Sequence, residues 1–173
     1  LHLDGARLFN ALVAKKDDPR QYGVLFHSIS ICLNKGLGCP IGSVLVGKQA
    51  FIRKARRVRK VLGGGMRQAG FMAAAGMYAL RHHVQRLEED HRHAASIAAA
   101  LDSKKFVHRI MPVETNIIIF ETAEGFPAAT VAESFRRLGV LVIAISPRQV
   151  RMVTHLDISP EMVARVLEAI DSL

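Results

Sequence analysis

Lys35 stands in a glycine-rich stretch, residues 34–42 (NKGLGCPIG), directly after the short β-branched run 28–33 (SISICL). Glycines at such a place permit positive φ and let a ligand approach the backbone closely. A lysine desolvated there has a lowered pKa, and its neutral amine attacks a carbonyl carbon to form an imine. From residue types alone, the same residue also reads as an ordinary surface-loop lysine. Asp4 follows a strand-like segment and precedes a helix-like one, where open α/β sheets place ligand contacts. A carboxylate there, facing a pyridine nitrogen, keeps it protonated and makes the ring an electron sink. The alternative for Asp4 is the N-cap of a helix starting at Ala6. Arg7 and Arg151 both fall near strand ends. Each offers a bidentate fork for a carboxylate, or is a plain surface arginine.

The run Gly63-Gly64-Gly65 before Met66-Arg67 is expected to leave backbone N–H groups free at a helix start, which attracts anions. It is also read as a bare helix boundary. Among the eight histidines, His82, His83, His91 and His93 form no i, i+4 pair, and no acidic ligand lies at a matching offset. No metal site is therefore expected. Six positive charges and no negative one lie between Arg53 and Lys60, within a chain of net charge +9. That segment suits a solvated helix face or a phosphate site. Nucleic-acid binding is a third reading, disfavoured because no stacking aromatics interleave the run.

These residues need elements to position them. Residues 1–3 read as the end of a buried strand, 6–14 as a short helix, and 15–22 as a polar stretch broken by Pro19. Strands are expected at 28–33 and 43–47, then a basic helix over 48–61. A long Ala- and Leu-rich helical stretch follows at 68–80 and 84–101, broken at Asp102. The last third alternates strand (116–120), helix (128–138), strands (140–145 and 150–154) and helix (160–170), which describes a small α/β lobe. A boundary is expected near residues 102–112.

Half of the 173 residues are hydrophobic, Trp is absent, and the apolar mass is aliphatic, as suits helices packed on a sheet. No run approaches the roughly 18 apolar residues of a membrane span, and the N-terminus lacks a basic segment leading into an apolar one. Two cysteines, Cys32 and Cys39, build no disulfide framework, so a soluble chain in a reducing, cytoplasmic compartment is expected. The chain begins at Leu1 inside a strand-like segment, which reads as a fragment or a truncated product.

Four segments carry a family resemblance. His2-Leu3-Asp4-Gly5-Ala6-Arg7-Leu8-Phe9-Asn10-Ala11 resembles the H-x-D-G-A-R-x-x-N-A segment of the low-specificity threonine aldolases. Residues 28–38 (SISICLNKGLG) are similar to their S-x-S-x-C-x-S-K-G-L-G lysine motif, and residues 57–70 (RVRKVLGGGMRQAG) to R-x-R-K-x-x-G-G-G-M-R-Q-x-G. Residues 151–157 (RMVTHLD) resemble R-x-V-T-H-x-D. The resemblance implies an α/β, aminotransferase-like fold of type I, dependent on pyridoxal 5′-phosphate (PLP). Residues 1–105 would form the C-terminal part of the large PLP-binding domain, and 106–173 the small C-terminal α/β domain. It implies Lys35 as the Schiff-base lysine, Asp4 on the pyridine nitrogen, and Arg7 and Arg151 on cofactor or substrate carboxylate. Lys60 and Arg67 would approach a PLP phosphate from a neighbouring subunit of a homotetramer. The implied reaction is retro-aldol cleavage of threonine-type amino acids to glycine and an aldehyde, with neither nucleic acid nor membrane as partner.

Three positions depart from the family pattern. Asn34 stands where Ser is usual, His27 where Asp is common, and Cys39 where a small residue is common. A larger departure is that the family's N-terminal half has no counterpart here. That half supplies a glycine–threonine phosphate loop and a histidine stacked on the ring. The expectation is therefore a chain with little or no aldolase activity by itself and an exposed apolar sheet edge.

Overall fold

The strand-forming residues of the first third pair around a helical crossover. β1 (His2–Asp4) leads into α1 (Leu8–Lys15) and α2 (Pro19–Leu25), and the chain returns as β2 (Ser28–Cys32) alongside and parallel to β1. β3 (Ser43–Gly47) pairs antiparallel to β2, giving the order β1-β2-β3. Two further helices follow, α3 (Gln49–Val61) and α4 (Gly70–His82). The computed structural model describes residues 1–173, which divide into two compact units, Leu1–Leu87 and Glu88–Leu173.

Two small clusters hold the first unit. Leu8 and Leu12 of α1 pack on Ile29 of β2 with Leu3, Phe9, Tyr22, Phe26 and Ile31 around them. Leu37, Cys39, Ala79 and Leu87 form the second cluster. β3 and α3 contribute no buried residue, and Val44, Leu45, Val46, Phe51, Val58, Val61 and Leu62 are all exposed.

Pro19 does not break the chain here. It opens α2 at the first helical position, with the Asp18 carboxylate accepting the Arg20 N–H at 2.9 Å as N-cap. Proline is favoured at that position because its missing N–H would be unpaired anyway. The glycine run also differs from expectation. Gly63 has φ +80°, its N–H donates to Lys60 O, and Gly64 N–H donates to Arg59 O at 2.8 Å. These two bonds close the C-terminus of α3 in a Schellman arrangement. Their N–H groups are consumed there rather than offered to an anion, and α4 starts only at Gly70.

The second unit holds most of α5 (Leu87–Leu101), then β4 (Val107–Ile110), β5 (Ile117–Thr122), α6 (Ala128–Arg137), β6 (Ile143–Ser146), β7 (Gln149–Val153) and α7 (Pro160–Asp171). Its sheet is antiparallel throughout, in the order β4-β5-β7-β6. β5 alternates half-buried and buried along its whole length, as a strand with one covered face must. Its inward residues Ile118 and Phe120 join Val131, Phe135, Val150, Met152, Val163 and Ile170 in one core. Ala94, Ile97 and Leu101 of α5 pack into that same core, so the division falls at 87/88 and the break at Asp102 marks the end of α5. β4 was not anticipated from sequence.

Phe106 packs edge-on to both Phe120 and Phe135, with ring centroids 6.2 Å apart in each pair. Phe135 is fully buried, and its truncation leaves a cavity that the sheet cannot close. Phe135→Ala is expected to cost about 3–5 kcal/mol in chemical denaturation followed by circular dichroism. No helix is long and apolar enough to cross a membrane.

Candidate active site

Parallel pairing puts the carboxyl ends of β1 and β2 on the same side of the sheet. Asp4 lies opposite Ser30, and the Gly5 N–H donates to Ser30 O at 2.8 Å, extending the ladder one residue past β1. A Cβ at position 5 would lie 2.9 Å from Ser30 O and 3.1 Å from Ile29 Cγ2. Only glycine lets the chain turn this close to β2. Asp4 is exposed just before that turn, and its Oδ1 accepts the Ala6 N–H at 3.2 Å. The helix itself starts at Leu8 with Arg7 in the cap position and no side-chain cap. Asp4 is thus not the helix N-cap. Arg7 is half-buried and engaged within the chain.

Lys35 follows the carboxyl end of β2 by three residues, on the neighbouring strand to Asp4. The Gly38 N–H donates to Lys35 O, the Cys39 N–H to Leu33 O, and the Leu33 N–H to Gly42 O, all at 2.9–3.0 Å. Leu37 and Cys39 point into the core while Lys35 is exposed. The desolvation expected around this amine is therefore not provided by its own loop. Burial pushes the Cys39 thiol up, so it stays protonated and is no nucleophile near neutral pH. Ala6, Arg7, Asn10, Cys32, Gly36 and Leu37 meet around a cavity of about 10 Å³. The start of α1 and the lysine loop are thereby direct neighbours.

The other expected residues lie elsewhere. Lys60 sits in the last turn of α3 and Arg67 in the segment before α4, both exposed. The Lys60 stem lies over Gly65, where a Cβ would come 2.8 Å from its Cδ. Arg151 belongs to the second unit. It is half-buried on β7, opposite Ile119 of β5 and Ile143 of β6, while its chain neighbours Val150 and Met152 face the core. The guanidinium thus leaves the sheet on the face away from that core. No group of three or more His, Cys, Asp or Glu side chains is arranged to hold a metal ion.

Two residues of the site region escaped the sequence reading. Asn10 is 3 % exposed, and its amide lies against Gly36 beside the lysine. His83 reaches the Leu37 carbonyl from the end of α4. A polar residue on the apolar face of a short helix was the available signal for Asn10. Nothing local marked His83.

The family model for β-eliminating lyases matches residues 1–125, a span that includes both strands, the lysine loop and the glycine run. The chain belongs to the β-eliminating lyase family. It is 47 % identical over 166 residues to a low specificity L-threonine aldolase of Escherichia coli O157:H7, covering 96 % of this chain and 48 % of that one. This family member thus spans about half the length of the curated relatives it matches. Its fold matches that of a Leishmania major threonine aldolase, with TM-score 0.77 at 17 % identity over 99 % of this chain and 51 % of the other. An N-acetylornithine aminotransferase of Stenotrophomonas maltophilia K279a matches with TM-score 0.68 at 19 % identity, over 99 % and 46 %. The architecture is therefore the fold that threonine aldolases share with PLP-dependent aminotransferases, present here as a mixed α/β portion. The Arg151 segment lies beyond the family-model match but within the long alignment to the bacterial relative.

Proposed function

We propose that this chain carries the lysine-bearing half of a PLP-dependent carbon–carbon lyase, cleaving threonine- and allo-threonine-type β-hydroxy-α-amino acids to glycine and an aldehyde. The observation that carries this reading is the parallel pairing of β1 with β2, from whose common end Asp4 and Lys35 both emerge exposed. Neighbouring strands lie about 4.8 Å apart, so a carboxylate and a flexible amine leaving them can address one planar ring from two sides. The residues present fit the cofactor in this respect. PLP, when bound, supplies a protonated pyridine ring that withdraws the electron pair left at Cα when the Cα–Cβ bond breaks.

The roles of the chain's own groups follow from their chemistry. Asp4 holds the proton on the ring nitrogen, because a carboxylate facing it favours the charged form. Lys35 Nζ binds the cofactor and gives way to the substrate amine. Arg7 and Arg151 are forks for the substrate carboxylate, and Arg is suited to that task because its planar donors match two oxygens at once. Lys60 and Arg67 are assigned to a cofactor phosphate of an adjoining subunit in a homotetramer.

A second reading is favoured by the exposed apolar residues of β3 and α3. In it the chain is inactive alone and acts only in association with other subunits. Both readings meet in one experiment. The purified chain is incubated with PLP and L-allo-threonine or L-threonine, alone and mixed with the separately produced first half of the bacterial relative, and acetaldehyde is assayed. Little or no aldehyde is expected from the chain alone and clear turnover from the mixture. 2-Oxobutyrate with ammonia in place of aldehyde would replace aldol cleavage with β-elimination, and 3-hydroxy-2-oxobutyrate would replace it with transamination.

A further inference from the structure

The loop that carries Lys35 is held by a side chain from far along the sequence. His83 Nδ1 lies 2.7 Å from Leu37 O, across 46 residues, at the C-cap of α4. A carbonyl oxygen only accepts, so Nδ1 carries the proton and Nε2 is left to solvent or to a second proton. The bond therefore survives in both charge states of the ring. Tyr78, five residues earlier on α4, packs edge-on to His83 with centroids 5.4 Å apart and an interplanar angle of 82°. That contact limits the ring's rotation.

The same short segment is gripped on its other side. A Cβ at position 36 would lie 2.9 Å from both Asn10 Oδ1 and Leu87 Cδ2, so Gly36 is wedged between α1 and the start of α5. Leu37 itself is 3 % exposed. Asn34 and Lys35, immediately before these two fixed residues, are exposed.

We infer that His83 is a positioning residue for Lys35, whose Nδ1–H fixes the Leu37 carbonyl and with it the direction in which the lysine amine leaves the end of β2. This rests on the reading of Lys35 as the PLP-binding amine. An exposed lysine has many rotamers, and attack on a carbonyl requires the amine to be presented along a narrow approach. A backbone anchored two residues away supplies that orientation without touching the cofactor. The amide of an asparagine places its N–H close to the position of a histidine Nδ1–H, which makes Asn the conservative replacement.

The test compares wild type with His83→Phe, His83→Ala and His83→Asn. Each chain is incubated with PLP, reduced with borohydride at set times, and the labelled lysine located by peptide mass mapping. Amide hydrogen exchange of residues 34–38 is followed in parallel without cofactor. Fixation at Lys35 is expected to slow about tenfold in the Phe and Ala variants, with loop exchange accelerated by a similar factor, from loss of one half-buried hydrogen bond. Labelling of Lys48, Lys54 and Lys60 should be unchanged. His83→Asn should recover most of the rate and the protection. A Phe variant that labels Lys35 as fast as wild type, or an Asn variant no better than Phe, overturns the inference. Should wild type take up no label at Lys35 even when mixed with the separately produced first half of the bacterial relative, the functional reading falls instead. The exchange rates then still decide the tether, since equal loop protection in the Phe and Asn variants removes it. If the Ala variant unfolds, the Phe and Asn pair carries the same comparison at full side-chain volume.

Discussion

Lys35→Ala abolishes borohydride-stable attachment of PLP to the chain, and Lys35→Arg does the same. Arginine keeps the positive charge but is never deprotonated, so it has no free pair with which to attack a carbonyl. The loss is expected to be complete in the mass-mapped peptide, whereas Lys48→Ala, at the start of α3, changes nothing there. Neither Lys35 variant should alter folding stability by more than about 0.5 kcal/mol, because the side chain is exposed and substitution removes no packing. A chain still labelled to wild-type extent after Lys35→Ala would mean that another lysine reacts and that the glycine-rich loop is only a loop.

Gly36→Ala is expected to damage both the fold of the first unit and the presentation of the lysine. The added methyl would meet Asn10 Oδ1 and Leu87 Cδ2 at 2.9 Å, well inside contact distance, with the Asn10 Nδ2 at 3.4 Å. Neither neighbour is the free end of a flexible surface chain, since Asn10 is 3 % and Leu87 0 % exposed. Overpacking of this kind costs about 1–3 kcal/mol. The displaced loop carries Lys35 with it, and a shift of about 1 Å in a reacting group can slow chemistry about a hundredfold. Chemical denaturation and the rate of PLP fixation read the two effects separately. Gly23→Ala is the contrast. It lies in α2 with nothing within 4 Å of a new Cβ and should stabilise by about 0.5–1 kcal/mol, through helix propensity and a less flexible unfolded chain.

Much of the architecture could be read from periodicity. The apolar run at 116–120 announced β5 and the segment 160–170 announced α7, whose Met162 N–H bonds to Ser159 Oγ. β4 was missed because its residues Val107–Ile110 include two exposed polar side chains, and its pairing with β5 is interrupted by a register shift. Pro19 was misjudged because proline stops a helix from inside and starts one from its first position. Asp18 was the deciding residue. The glycine run had the same ambiguity, since glycine serves the end of one helix as readily as the approach to the next. The left-handed φ of Gly63 decided it.

The residue types of the candidate site, an amine, a carboxylate and two guanidiniums in three of the four matched segments, were determined by the sequence alone, as was the family to which those segments are similar. Motifs are local, and local residues keep their identity whatever the fold does. Tertiary structure alone decided that Asp4 and Lys35 share one end of a parallel strand pair. It also decided that Arg151 stands on the sheet face away from its core, and that Asn10 and His83 close around the lysine loop. Those relations join residues tens of positions apart, and only the burial of apolar side chains, which has no fixed sequence spacing, brings them together.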